Sequence, residues 1–276
     1  MSDARQLLSN TLTSALSAGE PTALVTLVDT KGSTPRESGA SMLVTHRSVV
    51  GTIGGGTFEW AAISAARELL DGASESRLVR QALGPEIGQC CGGQVTLLIE
   101  RATEETRDRL AAVEAHELAR RPQVTIYGAG HVGRALSLAL DPLPFRTRIV
   151  DPRRTEIDAV SGDNVERICG NCVPVAEAAG PGGAHVVMTH SHSLDSLVCA
   201  TLLEKGDFAY LGLIGSATKR ATFLSSFRAL GLPDDELSRL VCPVGGTKVR
   251  DKRPTVIAAL VAGEIVEVLL GTVAAA

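Results

Sequence analysis

The sequence predicts two domains of different class: an α+β domain with an antiparallel sheet over residues 1–121, then an α/β domain with a parallel sheet over 122–276. Three observations carry this division. Strand-like and helix-like stretches follow one another without alternation in the first part and alternate in the second. Arg121-Pro122 closes a charged helix where the pattern changes, because proline lacks an N–H and its ring clashes with the preceding turn. A glycine run, Gly128-Ala129-Gly130-His131-Val132-Gly133, then separates a strand from a helix. With 276 residues and 44% apolar content, each domain can bury a core of its own.

Taken in order, the chain opens on an amphipathic segment marked by Leu7, Leu8, Leu12 and Leu16. Residues 22–28, 40–45 and 47–53 read as strands, 58–70 as a helix and 94–100 as a further strand. Thr103 starts a helix that runs to Arg120, with Glu104 and Glu105 in the first turn, where the helix dipole favours acids. The second domain alternates strands at 124–127, 147–151, 184–189 and 208–214 with helices at 131–140, 193–203 and 216–230, the signature of a helix-covered parallel sheet. The apolar tail 256–276 is interrupted on one helical face by Glu264 and Glu267, which predicts a docked amphipathic helix and no membrane span.

Composition removes several function classes. A net charge of −4 with interspersed signs, and only eight aromatic residues, provide neither the basic footprint nor the stacking platforms that nucleic acid needs as a partner. The N-terminus has no basic region followed by an apolar run, so no export signal is expected. Six cysteines in such a chain, two of them adjacent, predict a reducing cytoplasm and not a disulfide framework. Hydrolase triads, H-E-x-x-H and P-loop patterns are absent, and no catalytic residue is assigned.

The most informative stretch is Gly88-Gln89-Cys90-Cys91-Gly92-Gly93. Adjacent Cα atoms lie about 3.8 Å apart, short of the roughly 4.4–6.8 Å of a relaxed disulfide, so Cys90 and Cys91 are expected as thiols. A thiolate is a soft ligand, and flanking glycines let backbone approach a large group, which makes both cysteines candidate metal ligands. Packing as small buried apolar groups is the competing reading.

Other motifs point to anions. Thr52-Ile53-Gly54-Gly55-Gly56-Thr57 joins a strand to a helix and is expected to seat oxyanions on free N–H groups. Upstream, Gly32-Ser33-Thr34-Pro35-Arg36-Glu37 is a turn whose arginine suits a phosphate. The run at 128–133, with Asp151 about 20 residues on, matches the place where a Rossmann domain holds pyrophosphate and ribose. Leu211-Gly212-Leu213-Ile214-Gly215-Ser216 repeats a glycine turn with Ser216 as a helix N-cap, followed by Lys219 and Arg220, which a bound anion would favour. His190 and His192, two apart on extended backbone with Asp195 nearby, suit a metal, a phosphate or a proton in transit. Cys169 and Cys172 have no second pair at zinc-ribbon spacing and read as structural, as do Cys199 and Cys242.

Taken together, residues 32–40, 51–56 with Glu59-Trp60, and the Gln89-Cys90-Cys91-Gly92-Gly93 run resemble the first domain of the XdhC/CoxI family, maturation factors of molybdenum hydroxylases. Tyr127 to Ala135, Val150-Asp151-Pro152-Arg153, Thr189-His190-Ser191-His192, Gly212 to Ser216 and Pro254 to Ala258 resemble its Rossmann-like second domain; Val244-Gly245-Gly246-Thr247 departs from the family pattern. The resemblance implies a chaperone that binds the molybdenum cofactor (molybdopterin), shields it, assists its sulfuration by a cysteine desulfurase and inserts it into the large subunit of a xanthine dehydrogenase-like enzyme, acting as a homodimer. It implies that Gln89, Cys90, Cys91, Gly92 and Gly93 surround the metal end and that Gly54, Gly55 and Gly56 seat phosphate or pterin oxygens. Gly128, Gly130, Gly133, Asp151, His190, His192 and Ser216 then face a nucleotide-like ligand, either the cofactor's dinucleotide form or a separate NAD(P). The competing reading from the residues is an NAD(P)-dependent oxidoreductase with His131 or His190 as proton donor, which leaves the first domain without a role.

Overall fold

The computed structural model describes residues 7–83 and 92–271. The chain forms two compact units, Met1–Ala119 and Arg120–Ala276. The first contains α1 (Leu8–Ser17), β1 (Thr22–Lys31), β2 (Ser41–Thr45), β3 (Val49–Gly51), α2 (Gly56–Asp71), β4 (Ser76–Ala82), β5 (Gln94–Arg101) and α3 (Glu104–Arg120). Its sheet runs β3-β2-β1-β5-β4, antiparallel throughout. The two-residue period of β1 sends Ala23, Val25 and Leu27 to one face, where Phe58, Ile63 and Leu69 of α2 cover them, and Leu24 to the other, against Leu12 of α1 and Leu110 of α3. Ser9 of α1 hydrogen-bonds Glu114 of α3 through backbone and hydroxyl, tying the two helices on that second face.

The second unit contains β6 (Gln123–Tyr127), α4 (His131–Leu140), β7 (Arg146–Asp151), α5 (Arg154–Asp158), β8 (Val165–Cys169), α6 (Cys172–Glu177), β9 (Gly183–Val187), α7 (His192–Lys205), β10 (Phe208–Leu213), α8 (Ala217–Ala229), α9 (Asp234–Ser238), β11 (Leu240–Val241) and α10 (Pro254–Leu270). Its parallel sheet runs β11-β10-β9-β6-β7-β8. Read from β8, this is the doubly wound order in which the chain reverses direction beside β6, so the ligand crevice of such a fold opens between the carboxyl ends of β6 and β9. One face packs Val124, Ile126, Leu136 and Ile149 against Val261 and Ile265 of α10, and the other packs Tyr127, Val187 and Leu211 against Val198 of α7 and Phe227 of α8. α10 is the docked helix expected from the tail: Glu264 accepts a 2.6 Å hydrogen bond from the Tyr210 hydroxyl, and no helix among the described residues is long and apolar enough to cross a membrane. Three strands escape a reading of the sequence: β4, β8 and β11.

Candidate functional sites

Three loops converge at one end of the first unit's sheet. Ser33 bridges to Gly92, and a Cβ on Gly93 would stand 2.3 Å from the Ser33 carbonyl oxygen, so the turn at 32–36 lies directly against the glycines that follow the cysteine pair. On its other side, a Cβ on Gly54 would stand 2.7 Å from Cγ of Pro35. Leu83 and Gly92 flank the cysteine segment, and each donates a hydrogen bond back across its base, from Leu83 N–H to the Gly93 carbonyl at 2.7 Å and from Gly92 N–H to the Leu83 carbonyl at 2.8 Å. Gly92 and Gly93 therefore lie beside the 32–36 turn, and Leu83 is tied to both of them. Gln89, Cys90 and Cys91 themselves lie outside the described residues. Arg36 is exposed at this end of the sheet.

At the expected oxyanion seat, Gly54 to Gly56, part of the loop's hydrogen-bonding capacity is taken up within the protein. Glu59, one turn into α2, folds back so that its Oε2 accepts hydrogen bonds from Ile53 N–H at 2.9 Å, Gly55 N–H at 3.0 Å and the Thr52 hydroxyl at 2.5 Å, while Gly54 N–H donates to Thr52 Oγ1. The Ile53 and Gly55 N–H groups are spent on the chain's own carboxylate and the Gly54 N–H on Thr52, an arrangement close to a capping box. Burial pushes the Glu59 carboxyl up, but these donors outweigh it and hold the group below its ordinary value. What remains open is shape: among the described residues, nothing lies within 4 Å of where a Cβ on Gly55 or Gly92 would stand.

In the second unit the three fingerprint glycines differ in their reasons for being glycine. Gly128 has φ +114°, and a Cβ there would stand 2.3 Å from the Met188 carbonyl oxygen. Gly133 could not carry a Cβ without placing it 1.9 Å from the Gly128 carbonyl oxygen, so its absence brings α4 close to the end of β6. Gly130 has φ −64° and open space around its Cβ position. Neither conformation nor contact within the protein requires glycine there, whereas a phosphate approaching the helix start does.

The expectation for Asp151 is corrected. Its carboxylate accepts hydrogen bonds from Ala129 N–H at 2.8 Å and Arg153 N–H at 2.9 Å, and the Arg153 guanidinium bridges both oxygens. The side chain is fully buried. Burial raises its pKa, but the hydrogen bonds from Arg153 and Ala129 prevail and hold it below the usual carboxylate range. Asp151 therefore braces the glycine turn and has no free oxygen for a ribose. The group at the surface of this corner is Arg153, with 37% of its side chain exposed.

The carboxyl ends of β9 and β10 hold a feature the sequence does not reveal. Lys219 Nζ donates to Asp195 Oδ2 at 2.7 Å and to the Ile214 carbonyl at 2.9 Å, and Asp195 Oδ1 accepts from Thr189 N–H at 2.9 Å and the Thr189 hydroxyl at 2.7 Å. Exposure of the two side chains is 13% and 3%, so this pair locks the loop after β9 to the start of α8 in a setting where losing one partner strands a charge. Lys219 is thus committed to Asp195 and is not the free anion ligand its place in the helix's first turn suggested. Ser216 caps α8, its hydroxyl accepting from Lys219 N–H at 3.2 Å. His190 and His192 are both exposed, and His192 opens α7 after the N-cap Ser191, so the two do not share one stretch of extended backbone. Among the described residues no cluster of three or more His, Cys, Asp or Glu side chains is arranged to hold a metal. Cys172, Cys199 and Cys242 are buried and Cys169 is exposed, all four as free thiols.

Comparison with known proteins accords with both units. A family model described as the XdhC Rossmann domain matches residues 124–265, and one described as the XdhC and CoxI family matches residues 15–81. The uncharacterized protein YqeB of Escherichia coli K12 is 28% identical over 254 residues, which are 90% of this chain and 43% of YqeB. The chain thus spans less than half the length of that relative. A Bacillus halodurans protein, described as a xanthine dehydrogenase, has a crystal structure that matches 97% of each chain with a TM-score of 0.78 at 19% identity, a likeness of fold.

Proposed function

Since the chain belongs to the XdhC and CoxI family, we propose that it is a maturation factor for a xanthine dehydrogenase-type molybdenum hydroxylase. It binds the molybdenum cofactor, shields it, assists its sulfuration by a cysteine desulfurase and delivers it to the large subunit of the client. The description of the Bacillus neighbour names the same class of enzyme. The observation that carries the reading is the convergence in the first unit, where Gly92 and Gly93, tied to Leu83, lie beside the 32–36 turn. When bound, the cofactor supplies a soft, sulfur-ligated metal and an anionic phosphate tail. The chain's groups fit those two halves. Cys90 and Cys91 would supply thiolates to the metal end, Gly55 and Gly92 leave faces that no side chain among the described residues fills, and Arg36 stands exposed for an anion.

In the second unit the same reading gives the glycine turn at Gly128, Gly130 and Gly133 a nucleotide-like ligand, the cofactor's dinucleotide form or a separate NAD(P), with His190 and His192 exposed near the same edge. Gly130 supports it, because its missing side chain has no use inside the protein. Protein purified under anaerobic conditions is expected to carry molybdenum and pterin together, and the Cys90→Ser/Cys91→Ser variant to lose both while keeping its circular dichroism. Molybdenum at wild-type stoichiometry in that variant would overturn the assignment of the thiols. Turnover of NADH with no response to molybdopterin would instead favour the oxidoreductase.

A further inference from the structure

A cavity of about 750 Å3 lies in the second unit beyond the carboxyl ends of β10 and β11, lined in part by Gly215 and Ser216 but by none of the glycines at 128–133. Its apolar floor is built from Ile214, Val244, Ile257 and Leu260, the last two from the first turns of α10. This volume falls within the range of roughly 300–1,000 Å3 typical of single small-molecule sites. Along one rim run Val249, Arg250, Asp251 and Lys252, with Lys248 and Arg253 flanking them in the chain, so the segment holds four cations and a single acid. Asp251 is already neutralised: it accepts from Arg253 N–H at 2.9 Å and from the Arg253 guanidinium through both oxygens. Lys248, Arg250 and Lys252 make no hydrogen bond or ion pair among the described residues, and all three are exposed.

Three cations at alternate positions on one short segment repel one another, and they stand before the positive end of α10, which adds to the repulsion. Solvated lysines and arginines tolerate this at small cost, but such residues need no apolar cavity behind them. Here the field and the cavity coincide, since Arg250 and Lys252 line the same space as Ile214 and Leu260. A cationic ligand would be repelled by that rim, and a neutral one would gain less from it than an anion. A phosphate monoester, with its charge of nearly −2, matches several guanidinium and ammonium groups better than a carboxylate does. The apolar floor suits the face of a heterocyclic ring, and the concave shape a small molecule in place of a peptide.

We propose that this cavity is a second ligand site, separate from the glycine turn, which takes a phosphorylated heterocycle of mononucleotide size with its ring on Ile214, Val244, Ile257 and Leu260 and its phosphate against Arg250 and Lys252. The proposal goes beyond the maturation role and does not depend on it. Titration calorimetry of the full chain with AMP, adenosine and inorganic phosphate tests it. AMP is expected to saturate one site, with adenosine and inorganic phosphate each at least about tenfold weaker, since each lacks one half of the match. The Arg250→Ala/Lys252→Ala variant changes only exposed side chains and keeps the fold, and it should weaken AMP by about tenfold or more. Ile257→Trp, filling the floor, should abolish binding with the thermal midpoint retained; should it unfold, the double variant decides alone. Failure of AMP to saturate below several millimolar, or equal affinity for AMP and inorganic phosphate, would overturn the proposal. AMP binding lost in Gly130→Ala but kept in the double variant would place the ligand at the glycine turn and overturn it too.

Discussion

Two glycine turns in this chain, 52–56 in the first unit and 128–133 in the second, lead from a strand into a helix and invite the same reading as anion seats. Their interiors differ. In the first, a carboxylate from the following helix already takes the Ile53 and Gly55 N–H groups, and two of the glycines answer to the protein itself: Gly54 to Pro35 at 2.7 Å, Gly55 to its φ of +73°. In the second, an internal carboxylate takes only the Ala129 N–H, two glycines answer to close contacts, and Gly130 answers to nothing inside the molecule. A glycine motif therefore reports on a ligand only at the position that backbone conformation and packing leave without a reason.

The largest effect that sharpens this contrast is Gly133→Ala. With a Cβ 1.9 Å from the Gly128 carbonyl oxygen, α4 must move off the end of β6, and since both are backbone there is no flexible side chain to yield. A loss of about 3 kcal/mol, the upper end for overpacking, is expected in urea unfolding. A loss under about 1 kcal/mol would mean that the turn relaxes and that its glycines are not set by contact. Next comes Glu59→Gln in the first unit. Gln keeps an acceptor but loses the charge, so a loss of about 1 kcal/mol is expected from weakening three hydrogen bonds at a partly exposed site. The pH sign follows from the lowered pKa: the folded state holds the Glu59 carboxylate ionised below the ordinary value of 4.5, so its contribution is present above that value and fades as pH falls further. Wild type should lose stability more steeply than Glu59→Gln below pH 4.5. Parallel slopes would show that the carboxylate does not fill the loop in solution.

How far these sites can be read from sequence follows from how local their causes are. The glycine turns, the Ser216 cap and the helical tail were legible because each announces itself in a local pattern, a glycine run between a strand and a helix, a serine before a helix, or an apolar run broken by two acids, even where the contacts that hold it, such as Tyr210 with Glu264, lie far away in the chain. The three strands that were not, β4, β8 and β11, all include an outermost or near-edge position: β4 ends the first sheet, and β8 and β11 end the second. These edge strands carry charge on both faces, as Arg77 and Arg80 in β4 and Glu166 and Arg167 in β8 do, which erases the apolar period a strand is recognised by. The Asp195–Lys219 pair escaped for another reason. Its partners are separated by 24 positions and meet only because β9 and β10 lie side by side in the sheet. Glu59 and Asp151 were visible as residues, but whether a carboxylate faces a ligand or its own backbone is settled by the loop's fold and not by spacing.

The smallest expected change in stability carries the most weight for function. Gly130 is the N-cap of α4, where glycine is mildly preferred to alanine by about 0.5–1 kcal/mol, but alanine recovers about 0.4–1 kcal/mol by restricting the unfolded chain. These nearly cancel, and the open space at its Cβ position adds no clash, so Gly130→Ala should unfold in urea within about 0.5 kcal/mol of wild type. Binding is a different matter. A methyl group projecting from the N-cap occupies the volume through which a phosphate reaches the first N–H groups of the helix, and a shift of a few tenths of an ångström lengthens every such hydrogen bond. Calorimetry with NAD and NADP is expected to show at least about a tenfold loss of affinity for whichever dinucleotide the wild type binds. A variant that binds as well as wild type would remove the distinction between the two turns, since Gly130 would then be as indifferent to a ligand as Gly54. A variant that unfolds would give Gly130 an internal reason after all, and the second turn would join the first as a feature of packing.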